Sequence, residues 1–143
     1  MSFFASLKVS GSALRAERFR VDLASANLAN ANSTRSAEGG PYRRRDPVLQ
    51  AIPLAGSFGS ELDRAVRMVN VRRVAIDLRP PREVFNPSHP DADAQGIVRL
   101  PNVQIVEETV NLMNASRAYE ANLAAINTSR EMAERAIRMG KAG

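Results

Sequence analysis

There is no cysteine in the 143 residues, which removes disulfide frameworks, thiolate metal sites and cysteine nucleophiles at a stroke. Tryptophan is missing as well, and only 5% of the residues are aromatic. A core must then be assembled from Ala, Val, Leu and Ile, a supply that suits slender helical packing better than one thick globule. No run approaches the roughly 18 apolar residues that a membrane-spanning helix needs. The opening stretch "MSFFASLKVSGSALRAERFR" has no charged region followed by a long apolar core, so a cleavable signal is not expected. Export from the cytoplasm would need another route. Lysine is almost absent too: only Lys8 and Lys141 occur among 20 basic residues, so the net charge of +5 is carried by arginine.

Proline and glycine are absent selectively, and that organises the chain. Between Ser2 and Asn32 the only breaker is Gly11, and between Asn102 and Met139 there is none. All eight prolines fall between Thr34 and Pro101. The pattern predicts a helix, an irregular or β-rich middle, and a second helix, with boundaries at 1–33, 34–101 and 102–143. Asn102, just after Pro101, is the expected cap of the second helix.

What fills the breaker-free zones is a seven-residue apolar period. Leu7, Leu14, Val21 and Leu28 recur on the first helix; Ile105, Leu112, Tyr119 and Ile126 recur on the second. Such a period makes a seam that winds around a partner helix. The economical solution is that the two seams meet. The expected class is α+β: an antiparallel coiled-coil pair of long N- and C-terminal helices, about 40 and 55 Å long, with a small β-rich middle domain. Strand signals in the middle are "RRRDPVLQAI", "VAIDL" and "GIVRL", whereas "RPPREVFNPSHPDADAQG" is expected to be a turn-rich connection.

Each helix carries a second apolar stripe. Val9, Ala16, Phe19, Leu23 and Ala26 lie opposite the first seam, and Val106, Val110, Met113 and Ala124 do the same on the second. A two-helix hairpin hides one stripe per helix. Either the middle zone folds back over the others, or other molecules cover them. Asparagines are interleaved with these stripes: Asn27, Asn30 and Asn32 near the end of the first helix, Asn114 and Asn122 on the second. Small residues let backbones approach closely, and carboxamides at such contacts fix register. Packing between subunits is therefore expected at Phe19, Leu23, Ala26, Asn27, Asn30, Asn32, Val106, Val110, Met113, Asn114 and Asn122. Before such assembly the ends should be largely disordered.

Catalytic and ligand chemistry is thin. His89, the sole histidine, lies between prolines with no second His or Cys to complete a metal site. "DADAQG" places Asp91, Asp93 and Gly96 at positions one, three and six of a calcium loop, but Gln95 and Asn102 stand where positions five and twelve need ligands. No phosphate-binding glycine motif or Ser/His/Asp set occurs. Glu107 and Glu108 at the head of the second helix suit its positive dipole end. No enzyme activity, cofactor, metal or small-molecule substrate is expected. The alternative class is a basic nucleic-acid-binding helical protein, for which the triplet Arg43–Arg45 is the best cluster.

At these residues the chain resembles the bacterial flagellar axial proteins of rod and hook. "SANLANANS" (Ser25 to Ser33) followed by Pro41-Tyr42-Arg43 is similar to their N-terminal signature. "EETVNLMNASRAYEANLAAINTSREM" (Glu107 to Met132) is similar to their C-terminal helix. "NPSHPDADAQGIVRLPNVQIVEE" (Asn86 to Glu108) resembles the segment that marks the proximal-rod members, and the match is weakest from Gly56 to Arg67. The resemblance implies a structural subunit of the basal-body rod in the periplasmic space, exported without a cleaved signal through the flagellar type III apparatus. It also implies polymerisation with other copies and other rod proteins through the terminal helices.

Overall fold

The computed structural model describes residues 3–54 and 66–141. It contains α1 (Phe3–Ala29), β1 (Arg45–Pro53), β2 (Arg67–Ile76), β3 (Arg82–Phe85), β4 (Ile97–Leu100) and α2 (Ile105–Lys141). The class is α+β, with two long helices at the ends of the chain and small antiparallel sheets between them. Among the described residues no helix is long and apolar enough to cross a membrane.

α1 is made by strong helix formers with one glycine, and its last turn is closed locally. Asn30 N–H donates to Ala26 O at 3.1 Å, Asn30 Nδ2 donates to the same carbonyl at 2.9 Å, and Ala31 N–H reaches Leu28 O at 3.2 Å. These bonds satisfy carbonyls that a helix end would otherwise strand. α2 starts later than expected. Its first turn closes with Glu108 N–H on Gln104 O at 3.0 Å, so Gln104 holds the position anticipated for Asn102.

The helices pack against each other. Asn27 near the end of α1 is bonded to Glu108 near the start of α2, and Arg18, Val21 and Asp22 line one cleft with Ser116, Tyr119 and Glu120. As one helix runs forward the other runs back, so the pair is antiparallel. On α1 the fully buried positions are Ala5, Ser12, Ala16, Ala24 and Asn27. They are all small or polar. The expected seam of Leu7, Leu14, Val21 and Leu28 is half-buried beside them. On α2 Glu108 and Ala115 are buried, and Leu112, Tyr119, Asn122, Ile126, Ser129 and Ala133 continue that face at half-burial. Ile105, expected to begin the seam, is 54% exposed because it precedes the level at which α1 ends.

The displaced centre of α1 has a cause. α1 packs on β1 and β2 as well as on α2, so its buried face is wider than one seam. Ser12 marks the junction: its hydroxyl donates to Val9 O at 2.7 Å and accepts Val69 N–H of β2 at 3.1 Å. Ala16 is buried, and Val9, Phe19, Leu23 and Ala26 are half-buried, so the chain itself shelters much of the second stripe of α1. The stripe on α2 is not sheltered.

β1 and β2 form a hairpin ladder from Arg45↔Ile76 to Pro53↔Arg67, broken by a bulge where Val48 pairs with Arg73 and Leu49 with Val71. Arg72 is the extra residue. β2 ends at Ile76, within "VAIDL", because Asp77 turns the chain: its Oδ1 accepts Arg79 N–H at 2.9 Å. β3 falls in the stretch expected to be connection. Arg82–Phe85 pairs with β4 from Arg82↔Leu100 to Phe85↔Ile97. Val84 and Phe85 supply the strand-forming side chains, and β4 supplies the partner without which so short a segment does not hold. The loop between them turns at Gly96, at φ 77°. A Cβ there would lie 3.0 Å from the Phe85 ring and 3.0 Å from Pro87, so glycine is required twice over. The stretch from Gly56 to Arg67, where the resemblance is weakest, lies mostly outside the described residues.

Candidate functional site

The strongest convergence of polar groups lies where α1 ends, α2 begins and the chain enters β1. Glu108 is 1% exposed, one turn into α2. Arg44, also buried, donates from Nε to Glu108 Oε1 at 2.6 Å and pairs through Nη1 with Asp46. Asn27 Nδ2 donates to Glu108 Oε2 at 3.0 Å and to Arg45 O at 2.8 Å. Its Oδ1 accepts Arg45 N–H at 3.0 Å and Tyr42 O–H at 2.9 Å. One carboxamide thus replaces a strand partner for Arg45, clamps the carboxylate and receives the phenol.

This clasp is consistent in its electrostatics. Burial works against the charge of Arg44, but its hydrogen bond to Glu108 and the charges of Asp46 and Glu108 outweigh that, and its pKa is raised. Burial raises Tyr42 above the usual phenol range; Arg45 opposes this and Glu108 adds to it, so the hydroxyl keeps the proton it donates. Arg45 sits over the Tyr42 ring at 5.7 Å from its centroid. Among the described residues no buried side-chain nitrogen or oxygen lacks a partner. Each Glu108 oxygen accepts one of these bonds, so the carboxylate is tied to Arg44 on one side and to Asn27 on the other.

Sequence reasoning missed this use of Asn27. It was expected at contacts between subunits, yet it is 1% exposed and all its bonds lie within the chain. The cause is its position: only there does α1 face the start of α2 and the passing backbone at once. Asn30 is likewise spent on its own helix end, and Asn122 Nδ2 back-bonds to Ala118 O at 2.8 Å. Asn32 and Asn114 are exposed. The signal that could have found the clasp was the pair Asn27 and Glu108, each one polar residue on an otherwise apolar face near a helix end.

The basic triplet does not form one basic surface. Arg44 is buried in the clasp, and Arg45 covers Tyr42 and pairs with Glu38 at 3.3 Å. Arg43 is left exposed alone. The "DADAQG" carboxylates are used internally as well. Asp91 accepts from Thr34 Oγ1 at 2.7 Å and pairs with Arg35, tying the loop after α1 to the β3–β4 loop. Asp93 Oδ1 accepts the N–H groups of Gln95 and Ile97, each at 2.9 Å. Both are held below the ordinary carboxylate range, Asp91 first by the Thr34 bond and Asp93 first by Ile97. His89 Nδ1 accepts Asp91 N–H at 3.1 Å. Among the described residues no three metal-ligating side chains come together.

The second surface is the back of α2. Val106 is 77% exposed, and Val110 and Met113 are half exposed on the same face. At the far end of the helical pair Phe4, Met132, Ile137 and Met139 are exposed. Val106, Val110 and Met113 follow one another at helical spacing and make a contiguous apolar row, the kind of patch that marks an interaction surface.

Comparison with known proteins agrees with both ends of this architecture. Residues 7–35 match the family described as flagella basal body rod protein, and residues 94–139 match the C-terminal family of the flagellar basal body rod FlgEFG proteins. The chain is 40% identical to the flagellar basal-body rod protein FlgC of Bacillus subtilis, over 99% of this chain and 100% of that one. It is 35% identical to the protein of the same name from Borreliella burgdorferi, over 96% and 97%. For the Salmonella typhimurium FlgC the figures are 38%, over 93% and 94%. Identity at this level along nearly the whole length leaves one assignment: the chain belongs to the flagellar basal-body rod protein FlgC family.

Proposed function

We propose that this chain polymerises through its terminal helices in the proximal part of the rod. It is a structural subunit of the flagellar basal-body rod, not an enzyme, and it assembles with other rod proteins. The finer reading is carried by one observation: the back of α2 presents Val106, Val110 and Met113 to water while the opposite face is already packed on α1. Burial of apolar surface is worth about 25 cal/mol per Å2, so three such side chains gain several kcal/mol on finding a neighbour. Phe19, Leu23 and Ala26, half-buried on α1, and the exposed Asn32 and Asn114 border the same contacts.

In this reading α1 and α2 form an antiparallel coiled coil in the wall of a tube, with Leu7, Leu14, Val21, Leu28, Leu112, Tyr119 and Ile126 along its inner seam. The β3–β4 sheet and its loop stand outside it. The subunit passes through the flagellar type III export apparatus without a cleaved signal and is built into the rod in the periplasmic space. Deleting the gene tests the reading. The expected result is loss of motility with basal bodies arrested at the rod, restored by the wild-type gene. Complete basal bodies in a swimming deletion strain would overturn it.

A further inference from the structure

Beside the clasp lies a cavity of about 210 Å3, walled by the stretch before β1 (Gly39–Arg44), the turn after β2 (Asp77–Pro81), and Arg99 with Asn102 ahead of α2. The walls are braced against one another. Asp77 N–H donates to Arg44 O at 2.8 Å, and the side chains of Arg44 and Tyr42 are held in turn by Glu108 and Asn27. Asn102 is set between Pro101 and Val103, both buried. Leu78, Pro80 and Pro81 make one side apolar. Most of the charged groups are already spent. Both Asp77 oxygens accept from Arg79, Oδ1 its backbone N–H at 2.9 Å and Oδ2 its Nε at 2.9 Å. Arg44 is used by Glu108 and Asp46, and Arg99 faces Glu83 at 3.4 Å on the exposed surface. Two groups remain. Arg43 is exposed and pairs with no carboxylate among the described residues. Asn102 was expected to cap α2, but Gln104 holds that position, and the Asn102 carboxamide makes no hydrogen bond among the described residues.

We infer that this cavity seats a carboxylate side chain, a glutamate or aspartate on an extended segment of a neighbouring chain. Size sets one limit. Pockets that enclose free small molecules run to roughly 300–1,000 Å3, and this one is smaller, with room for a side chain delivered from outside. Chemistry sets the other. A guanidinium only donates, and its fork matches a carboxylate through two parallel bonds. The Asn102 amide supplies a further donor, and Arg99 adds positive charge at the rim. Leu78, Pro80 and Pro81 offer apolar cover for the methylene stem. An incoming lysine or arginine would meet Arg43 as a like charge, and a glutamine would forgo the ionic part of the bond. Because the walls are braced beforehand, little order is lost when the side chain enters. That the segment belongs to a neighbour in the rod rests on the rod-subunit reading; the preference for a carboxylate does not.

The test titrates the blocked tripeptide acetyl-Ala-Glu-Ala-amide into the isotope-labelled full-length chain and follows backbone amide signals by NMR. The Gln counterpart and inorganic phosphate, at matched ionic strength, are the comparisons. The Glu peptide should move the signals of Arg43, Leu78 and Asn102, with a Kd about tenfold or more below those of the other two. Arg43→Gln should weaken the Glu peptide by about tenfold, while Arg73→Gln, on β2 and outside the cavity, should leave it unchanged; both should keep the wild-type circular dichroism. Equal binding of the Glu and Gln peptides, or undiminished binding by Arg43→Gln, would overturn the inference. Phosphate binding as tightly as the Glu peptide would overturn it too, by making the cavity a site for any small anion. In isolated basal bodies, a photo-crosslinking residue at Leu78 should join this chain to another chain beside an Asp or Glu. Peptide binding without that crosslink would overturn the neighbouring-chain assignment and leave rod membership intact, whereas a swimming deletion strain removes the rod-subunit reading itself.

Discussion

At the scale of single residues, the chain concentrates its specificity in polar groups, because its apolar side chains are too alike to choose a register. Asn27 is the extreme case: its amide and carbonyl serve the Glu108 carboxylate, both backbone groups of Arg45 and the Tyr42 hydroxyl. Asn27→Ala strands buried partners, each worth about 1–3 kcal/mol when left unsatisfied. The expected loss is about 2–4 kcal/mol in urea denaturation followed by helical circular dichroism. Asn30→Ala, which removes a bond to Ala26 O and one accepted from the Ser33 hydroxyl, both part-exposed at the helix end, should cost about 1 kcal/mol or less. Equal losses would contradict the clasp. A second residue prediction concerns acid. Asp77 is lowered from 3.8 to about 2, chiefly by its side-chain hydrogen bonds with Arg79 and then by the Arg79 backbone N–H. A depressed carboxylate contributes stability that is fully present above its unfolded value and is lost as pH falls through the folded one. The window is therefore about pH 4 down to about 2. Asp77→Asn should lower stability at neutral pH and flatten that limb, leaving a remnant from Asp91 and Asp93, which shift the same way. Urea midpoints measured from pH 2 to 7 check it.

At the scale of elements, α1 is governed by close approach. Ala5, Ser12, Ala16 and Ala24 are buried because they are small, and larger side chains stand to either side. Ala16→Leu should therefore cost about 1–3 kcal/mol by overpacking, while Ala124→Leu on the exposed back of α2 should change thermal stability little. Thermal melts of the two variants decide between a small-residue face and a leucine seam. The elements themselves were legible from where Pro and Gly are missing, since two breaker-free stretches of such length have few alternatives to helix. The seven-residue period picks out Leu112, Tyr119 and Ile126, which are half-buried on α2. It misplaced the centre of α1, because a helix with two neighbours buries a wider arc than periodicity toward one neighbour describes. β3 was hidden for a different reason: four residues after Pro80-Pro81 become a strand only through pairing with β4, and that partner is a tertiary fact. The clasp was hidden likewise, since Asn27 and Glu108 are 81 residues apart in sequence and meet only when the two helices pack.

At the scale of the whole molecule, stability is graded from one end to the other. The clasp end unites α1, α2 and the entry to β1 around Glu108 and Arg44, with Ala115 fully buried one face along. Toward the other end α2 turns progressively outward: beyond Tyr119 its best-covered positions are only half-buried, and past Ala133 every described side chain is exposed. A helical segment without packing cannot offset its ordering entropy, so its opening free energy should fall toward zero. Hydrogen exchange on the free subunit should therefore show amides from Glu108 to Tyr119 protected most, and those from Arg135 to Gly140 exchanging at close to unprotected rates. In isolated rods the same terminal amides should slow by at least a hundredfold, because a neighbour then supplies the surface that α1 is too short to give. A flat profile along α2 in the free chain would mean that the molecule needs no neighbour to finish its helices. The uncovered row at Val106, Val110 and Met113 would then be the remaining sign of a missing neighbour.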